Sequence, residues 1–214
     1  MIQKDLRCIK TDDLIIITNY KCMFSSLSKL KREKVFNNDL LKYKVIFVYR
    51  DPTIRLISCF LHWGIRSPLK KKKDQQGNIG GWLLKEFKNN SMFDYQKYNN
   101  ILEKELTEQN LIELFKQFLY ILPEIYTKNK HLQPQSKILQ DYGIDVSIYV
   151  DSDNNEDVNK LEVILNKRLR VCNKSDLKQK QLLKDFLNND NEYLRIVKEI
   201  YEDDIELISS INSI

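Results

Sequence analysis

The sequence predicts an α/β protein: a three-layer parallel sheet flanked by helices, in a single domain spanning residues 1–214, with a helical C-terminal part. Three observations point there. Leu14–Thr18 (LIIIT), Val45–Tyr49 (VIFVY) and Val146–Val150 (VSIYV) are short runs of β-branched and aromatic residues. Runs this apolar mark strands buried on both faces, as the strands of parallel sheets are. Each run is followed by a polar turn and then by apolar residues at helical spacing, and a strand–helix–strand order implies parallel pairing.

The elements follow in order. After Leu14–Thr18, Asn19–Phe24 reads as a polar loop, and Ser25, Ser26 or Ser28 can cap a helix running through Leu27 and Leu30. Val35–Leu41 reads as a helical or irregular connection. Beyond Val45–Tyr49, Asp51 suits an N-cap and Pro52 the first helical position, and Ile54, Ile57 and Leu61 then share one face. Ser67–Gly81 (SPLKKKKDQQGNIGG) is a loop. Its lysine run, Lys70–Lys73, reads as a solvated surface insertion in preference to a basic flap that steers substrate. Helices are expected over Met92–Glu105 and Gln109–Lys128, the second with Pro123 kinking or ending it. After Val146–Val150, the acidic turn DSDNNED leads into a helix carrying Val158, Leu161, Ile164 and Leu165. Helices near Ser175–Asn188 and Asn191–Ser209 close the chain. Three strands make a small sheet, so a fourth is expected between residues 79 and 100.

Composition excludes several classes. At 42% hydrophobic and 30% charged residues, the chain reads as an ordinary globular protein. No apolar run reaches membrane-spanning length, and MIQKDLRCIK lacks a signal-peptide core, so the expectation is a cytoplasmic protein with no stable membrane insertion. The cysteines Cys8, Cys22, Cys59 and Cys172 are scattered, which argues against a zinc site or a disulfide framework. A net charge of +5 leans toward anionic ligands but falls short of a dedicated nucleic-acid binder. The oligomeric state is not legible.

In an open parallel sheet, ligands bind where strand carboxyl ends meet helix N-termini. Two turns lie there. At the first, Lys21 follows the strand and Ser25 and Ser26 sit at the helix start, so an ammonium, two hydroxyls and backbone N–H groups converge on a tetrahedral anion. The loop has no glycine, so it is not the P-loop signature of nucleotide triphosphatases. At the second, Arg50 leaves the strand end and Ser58 follows on the helix; a forked guanidinium and a hydroxyl make a second phosphate clamp. Two anion sites on neighbouring strands suit a ligand with two separated phosphate-like groups.

These residues carry a family resemblance. Tyr20-Lys21-Cys22-Met23-Phe24-Ser25-Ser26 resembles the 5′-phosphosulfate loop of sulfotransferases. Arg50-Asp51-Pro52-x-x-Arg55-Leu56-x-Ser58-x-Phe60 closely resembles their 3′-phosphate motif, the most specific of the set. His131-Leu132-Gln133-Pro134-Gln135 is similar to the H-x-x-P-Q element of carbohydrate sulfotransferases, Asn173-Lys174-Ser175 to their N-K-S/T element, and Tyr201 to Leu207 to their Y-x-x-D-[FIY]-E-L tail. The matches run from about residue 12 to residue 208, in family order. The resemblance implies a fold related to the P-loop nucleotide kinases and a donor co-substrate, 3′-phosphoadenosine 5′-phosphosulfate, with no metal. It places Lys21, Cys22, Ser25 and Ser26 on the 5′-phosphosulfate, and Arg50 and Ser58 on the 3′-phosphate. Lys174 reads either as a solvated charge or as a 5′-side contact. The implied acceptor is a hydroxyl, of a carbohydrate or another molecule. Nucleic acid is not an expected partner.

The chain departs from the family pattern. Tyr20 replaces the usual proline before the lysine, and the two anion motifs are only about thirty residues apart. No motif identifies the general base. Histidine has a suitable pKa, and His131 is preferred over His62, with a carboxylate such as Asp94 as the alternative. Trp63 and Trp82 can stack on a sugar or an adenine, or simply anchor the core. Two rivals stand beside the sulfotransferase reading. One is a kinase-like phosphoryl transferase on the same fold, disfavoured by the glycine-free loop. The other is a non-catalytic anion- or nucleic-acid-binding protein using Lys70–Lys73.

Overall fold

Ile15, Ile16 and Ile17 are all buried, and so is every residue from Val45 to Tyr49. Those two runs form the middle of a five-stranded sheet. A computed structural model of the chain describes residues 5–18, 27, 30, 32–36, 40, 42–69, 82–104, 106–169 and 177–213. The strands are β1 (Asp5–Lys10), β2 (Leu14–Thr18), β3 (Arg32–Phe36), β4 (Lys44–Tyr49) and β5 (Ile148–Asp151), in the spatial order β3-β1-β2-β4-β5. Strands β2, β4 and β5 are parallel to one another, while β1 pairs antiparallel with both β2 and β3. The sheet is therefore mixed, not wholly parallel as the sequence suggests. The chain divides into two compact units: Met1–Pro52, Gln133–Lys174 and Asp203–Ile214 form the first, Thr53–Leu132 and Ser175–Glu202 the second.

The first unit holds the sheet. Alternation along the strands assigns two faces, as a period of two requires. Ile15, Ile17, Val45, Phe47 and Tyr49 face one cluster, against which Ile138 and Leu139 of α5 (Ser136–Tyr142) and Leu207, Ile208 and Ile211 of α9 (Glu202–Ile211) pack. Ile16, Ile46, Val48 and Val150 face the other, with Leu27 and with Leu161 of α6 (Asn155–Ile164). Burying each of these aliphatic side chains stabilises the unit by about 1.5–3 kcal/mol.

The extra strands are β1 and β3, and neither lies between residues 79 and 100. Arg32–Phe36 (REKVF) carries three charged residues and sits at the sheet edge, where one ladder is enough and charge deters further pairing. That composition resembles a loop or a helix. The stretch 82–104 is helical instead: α2 (Trp82–Asn89) buries Leu83, Leu84 and Phe87 at helical spacing, and α3 (Tyr95–Glu103) is capped by Asp94, whose carboxylate accepts from the Lys97 N–H. Strand β5 begins at Ile148, two residues later than expected.

Among the described residues, every regular element of the second unit is helical. Helix α1 (Pro52–Cys59) continues as a π-helical turn, Phe60–Arg66, in which the Ser67 N–H donates to the His62 carbonyl. Gly64 lets the turn sit close on Phe60, because a Cβ there would lie 3.0 Å from the Phe60 ring. Helix α4 (Glu108–Ile125) buries Leu111, Leu114, Phe115, Phe118, Leu119 and Leu122 on one stripe, and Phe60 packs on Phe115 and Phe118 with centroids 5.0 and 5.2 Å away. Pro123 falls in the last turn, so the helix carries on to Ile125, since only one backbone bond is lost so near its end. The C-terminal stretch forms α7 (Leu177–Asn189), α8 (Asn191–Ile200) and α9, with a break at Tyr201 (φ −112°, ψ 23°) where a single helix is expected from sequence.

Candidate functional site

At the carboxyl end of β4, Arg50 is held by its own backbone. Its N–H donates to Gln135 Oε1 (3.0 Å) and its carbonyl accepts from Gln135 Nε2 (2.7 Å). The amide side chain thus supplies the paired bonds that a neighbouring strand would, one residue past the end of the ladder. Gln135 is 1% exposed and is itself fixed by Asp204, also 1% exposed. Asp204 Oδ2 accepts from the Gln135 N–H (2.9 Å) and from Nε2 (3.3 Å), and Oδ1 accepts from the Ser136 N–H and hydroxyl, both at 2.7 Å. A buried carboxylate is tolerable only with such satisfaction.

The Arg50 side chain is 14% exposed and grips Asp153: Nε donates to Oδ2 at 2.7 Å and Nη2 to Oδ1 at 2.6 Å. This is the fork-to-fork geometry that guanidinium groups also use on phosphates. Asp153 belongs to the turn after β5. Its N–H donates to Asp151 Oδ1 (2.8 Å), the Asp151 N–H donates to Asp157 Oδ2 (3.1 Å), and Asn154 caps α6. Burial pushes the Asp151 carboxyl above the ordinary carboxylate range; the Asp153 and Asp157 charges add to this, and the Asp153 N–H and Arg50 oppose it. The Tyr49 hydroxyl is raised by burial first and then by Asp151 and Asp157. The Ser152 hydroxyl in the same turn is buried with no hydrogen-bond partner among the described residues.

In the helical unit, His131 is fixed through both its backbone and its ring. Its N–H donates to Asn129 Oδ1 (2.9 Å), and its carbonyl accepts from Arg55 Nη1 (3.3 Å). Arg55 is 1% exposed and lies over the Tyr201 ring, 5.4 Å from the centroid, while the Tyr201 hydroxyl donates to the Leu132 carbonyl (2.7 Å). The His131 ring lies parallel to Trp82 (5.8 Å, 5°) and edge-on to Trp63 (5.3 Å, 64°). His62 meets Trp63 at 4.7 Å, so both histidines of the protein touch one indole.

Of the site residues expected from sequence, Arg50, Ser58 and His131 are described. Ser58 is buried on α1, at 7% exposure. Lys21, Cys22, Ser25, Ser26 and Lys174 lie outside the described residues, as does the Lys70–Lys73 run. Among the described residues no group of three His, Cys, Asp or Glu is placed to hold a metal, and no helix is long and apolar enough to cross a membrane. Sequence reasoning missed Asp153 as a partner of Arg50, reading it only as part of an acidic turn. Arg55, Gln135, Tyr201 and Asp204 stand within the family motifs, where the sequence alone shows no task for them. Their task is to hold the backbone at Arg50 and at His131.

A family model described as Sulfotransferase family matches residues 6–208 of the chain. No curated protein and no solved structure matches it.

Proposed function

The chain belongs to the sulfotransferase family, which supports a transferase that moves sulfuryl groups, and on that premise we propose that its donor is 3′-phosphoadenosine 5′-phosphosulfate and its acceptor a carbohydrate hydroxyl. The observation that carries the donor is Arg50. Its fork stands at the carboxyl end of a parallel strand and already takes two oxygens of an anion, Asp153, so its donor set fits a phosphate. Strand β2 ends at Thr18, paired with Val48 of β4, so the chain enters the Lys21 loop from the sheet end that Arg50 leaves. We read this pairing as the nucleotide-kinase-like arrangement, with Lys21, Cys22, Ser25 and Ser26 on the 5′ side, Lys174 as a further 5′-side contact, and Arg50 with Ser58 on the 3′-phosphate.

The donor supplies an activated sulfuryl group. Transfer resembles phosphoryl transfer: the acceptor hydroxyl attacks sulfur in line while negative charge grows on the departing phosphate oxygen. Lys21, as an ammonium near that oxygen, stabilises the charge as it develops. His131 takes the acceptor proton, in a ring orientation set by Trp63 and Trp82. The sugar class of the acceptor rests on the H-x-x-P-Q resemblance at 131–135.

Thermal melting with 3′,5′-adenosine bisphosphate, beside ATP, tests the donor. At a hundred times its dissociation constant a ligand adds about 2.7 kcal/mol to stability. The expected result is a shift with the bisphosphate and none with ATP; no shift with either rejects the donor. Lys21→Ala is expected to abolish transfer of labelled sulfate while keeping most bisphosphate binding.

A further inference from the structure

The face of Arg50 formed by Nε and Nη2 already holds an anion of the chain itself. One carboxylate, Asp153, lies on it with both oxygens, at 2.7 and 2.6 Å. Two oxygens of a phosphoryl group would take the same pair of N–H donors in the same plane. One face cannot serve both anions, so a phosphate that uses it must displace Asp153. The Asp153 side chain is 36% exposed, so water can receive the displaced carboxylate. Its backbone N–H donates to Asp151 Oδ1, which holds the turn, so the carboxylate stays close by and returns when the face is vacated.

We propose that Asp153 is an internal competitor for the nucleotide 3′-phosphate at Arg50. The inference rests on the donor assigned above. A phosphate monoester carries between one and two charges at neutral pH and outcompetes a single carboxylate, whereas a 3′-hydroxyl has no charge with which to do so. A nucleotide ending in a 3′-hydroxyl therefore leaves the Arg50–Asp153 pair closed. The product keeps the same 3′-phosphate as the donor, so a tethered anion competing for Arg50 shortens the stay of both, and product release is the slow step in many enzymes. Asp153 acts through Arg50: it tunes nucleotide affinity and takes no part in the transfer itself.

The test compares the full-length protein with Asp153→Asn, using isothermal titration with 3′,5′-adenosine bisphosphate and with 5′-adenosine monophosphate. Asparagine keeps the size and one oxygen acceptor but removes the charge. The expected result is bisphosphate binding tightened about fivefold, the scale of a partly exposed ion pair, and a slower off-rate, with monophosphate binding unchanged. Melting of the ligand-free variant checks that it is folded, and Asp153→Ser takes its place in the comparison if it is not. Bisphosphate binding that is unchanged or weaker overturns the proposal while leaving the donor intact, and weaker binding would make Asp153 a positioning residue for Arg50. Equal tightening for the monophosphate also overturns it, because the effect would not arise at the 3′-phosphate. Failure of the bisphosphate to bind either protein overturns the donor reading and this inference together.

Discussion

Arg50 and Arg55 lie five residues apart in one motif and do opposite work. Arg50, in the sheet unit, has its backbone locked by Gln135 while its guanidinium reaches a partly exposed carboxylate that can be exchanged. Arg55, in the helical unit, is 1% exposed, and its guanidinium is turned inward onto the His131 carbonyl and the Tyr201 ring. On the function proposed above, the first is a recognition group on a rigid mount; the second is part of a mount, with His131 as what it holds. Residue type and motif membership do not separate the two roles. Burial and partner chemistry do, because a charge kept near water can trade one anion for another, and a desolvated one cannot without heavy cost.

Four substitutions would break or sharpen this contrast. The largest effect is expected from Asp204→Ala, which strips the acceptors from Gln135 and Ser136 and leaves buried donors unsatisfied. It should cost about 4 kcal/mol, lowering Tm by roughly 10 °C, and should loosen bisphosphate binding as the Arg50 mount slackens. Next is Arg55→Ala, which leaves a cavity beside Tyr201 and removes the buried guanidinium that donates to the His131 carbonyl. A loss of about 3 kcal/mol in urea unfolding is expected, with bisphosphate affinity retained. A variant that kept its stability but lost the nucleotide would reverse the roles given to the two arginines.

Arg50→Ala should show the mirror image. Its ion pair is partly exposed, so stability changes by less than about 1 kcal/mol, whereas bisphosphate affinity falls by about 2 kcal/mol, read by titration calorimetry. The smallest effect is expected from Asp151→Asn. Burial raises this carboxyl's pKa, with the Asp153 and Asp157 charges adding to it, so the folded protein holds the proton more tightly than the unfolded chain does. Stability from this group therefore falls as pH rises from the unfolded carboxylate value through the raised folded one, and it stays lower above that window. The asparagine variant should melt slightly higher than the parent at pH 7 and indistinguishably from it near about pH 3, where both states are protonated. A lower melting point at pH 7 would mean that the turn needs the charge at Asp151.

The sequence by itself determined the central strands, because Ile15–Ile17 and Val45–Tyr49 are apolar on every side chain and only a doubly covered sheet can bury such a run. It also determined that an arginine stands at a strand end, since Pro52 can start a helix but not extend a strand. The mixed pairing was decided by tertiary structure alone. Asp5–Lys10 is a strand because β2 offers an open edge to pair with, and Arg32–Phe36 is one because β1 then offers its own outer edge; nothing local in REKVF asks for extension. Trp82–Asn89 lies where a fourth strand is expected from sequence, yet Leu83, Leu84 and Phe87 bury one helical face there. Gln135 and Asp204, distant in sequence, meet beneath Arg50 only after folding, and so do Arg55, His131 and Tyr201 in the other unit. Local preference acts over a few residues, so it can name an anion-binding arginine. Which carboxylate balances that arginine, and which amide holds it still, depends on contacts 85 and 103 residues away along the chain, which no local pattern encodes.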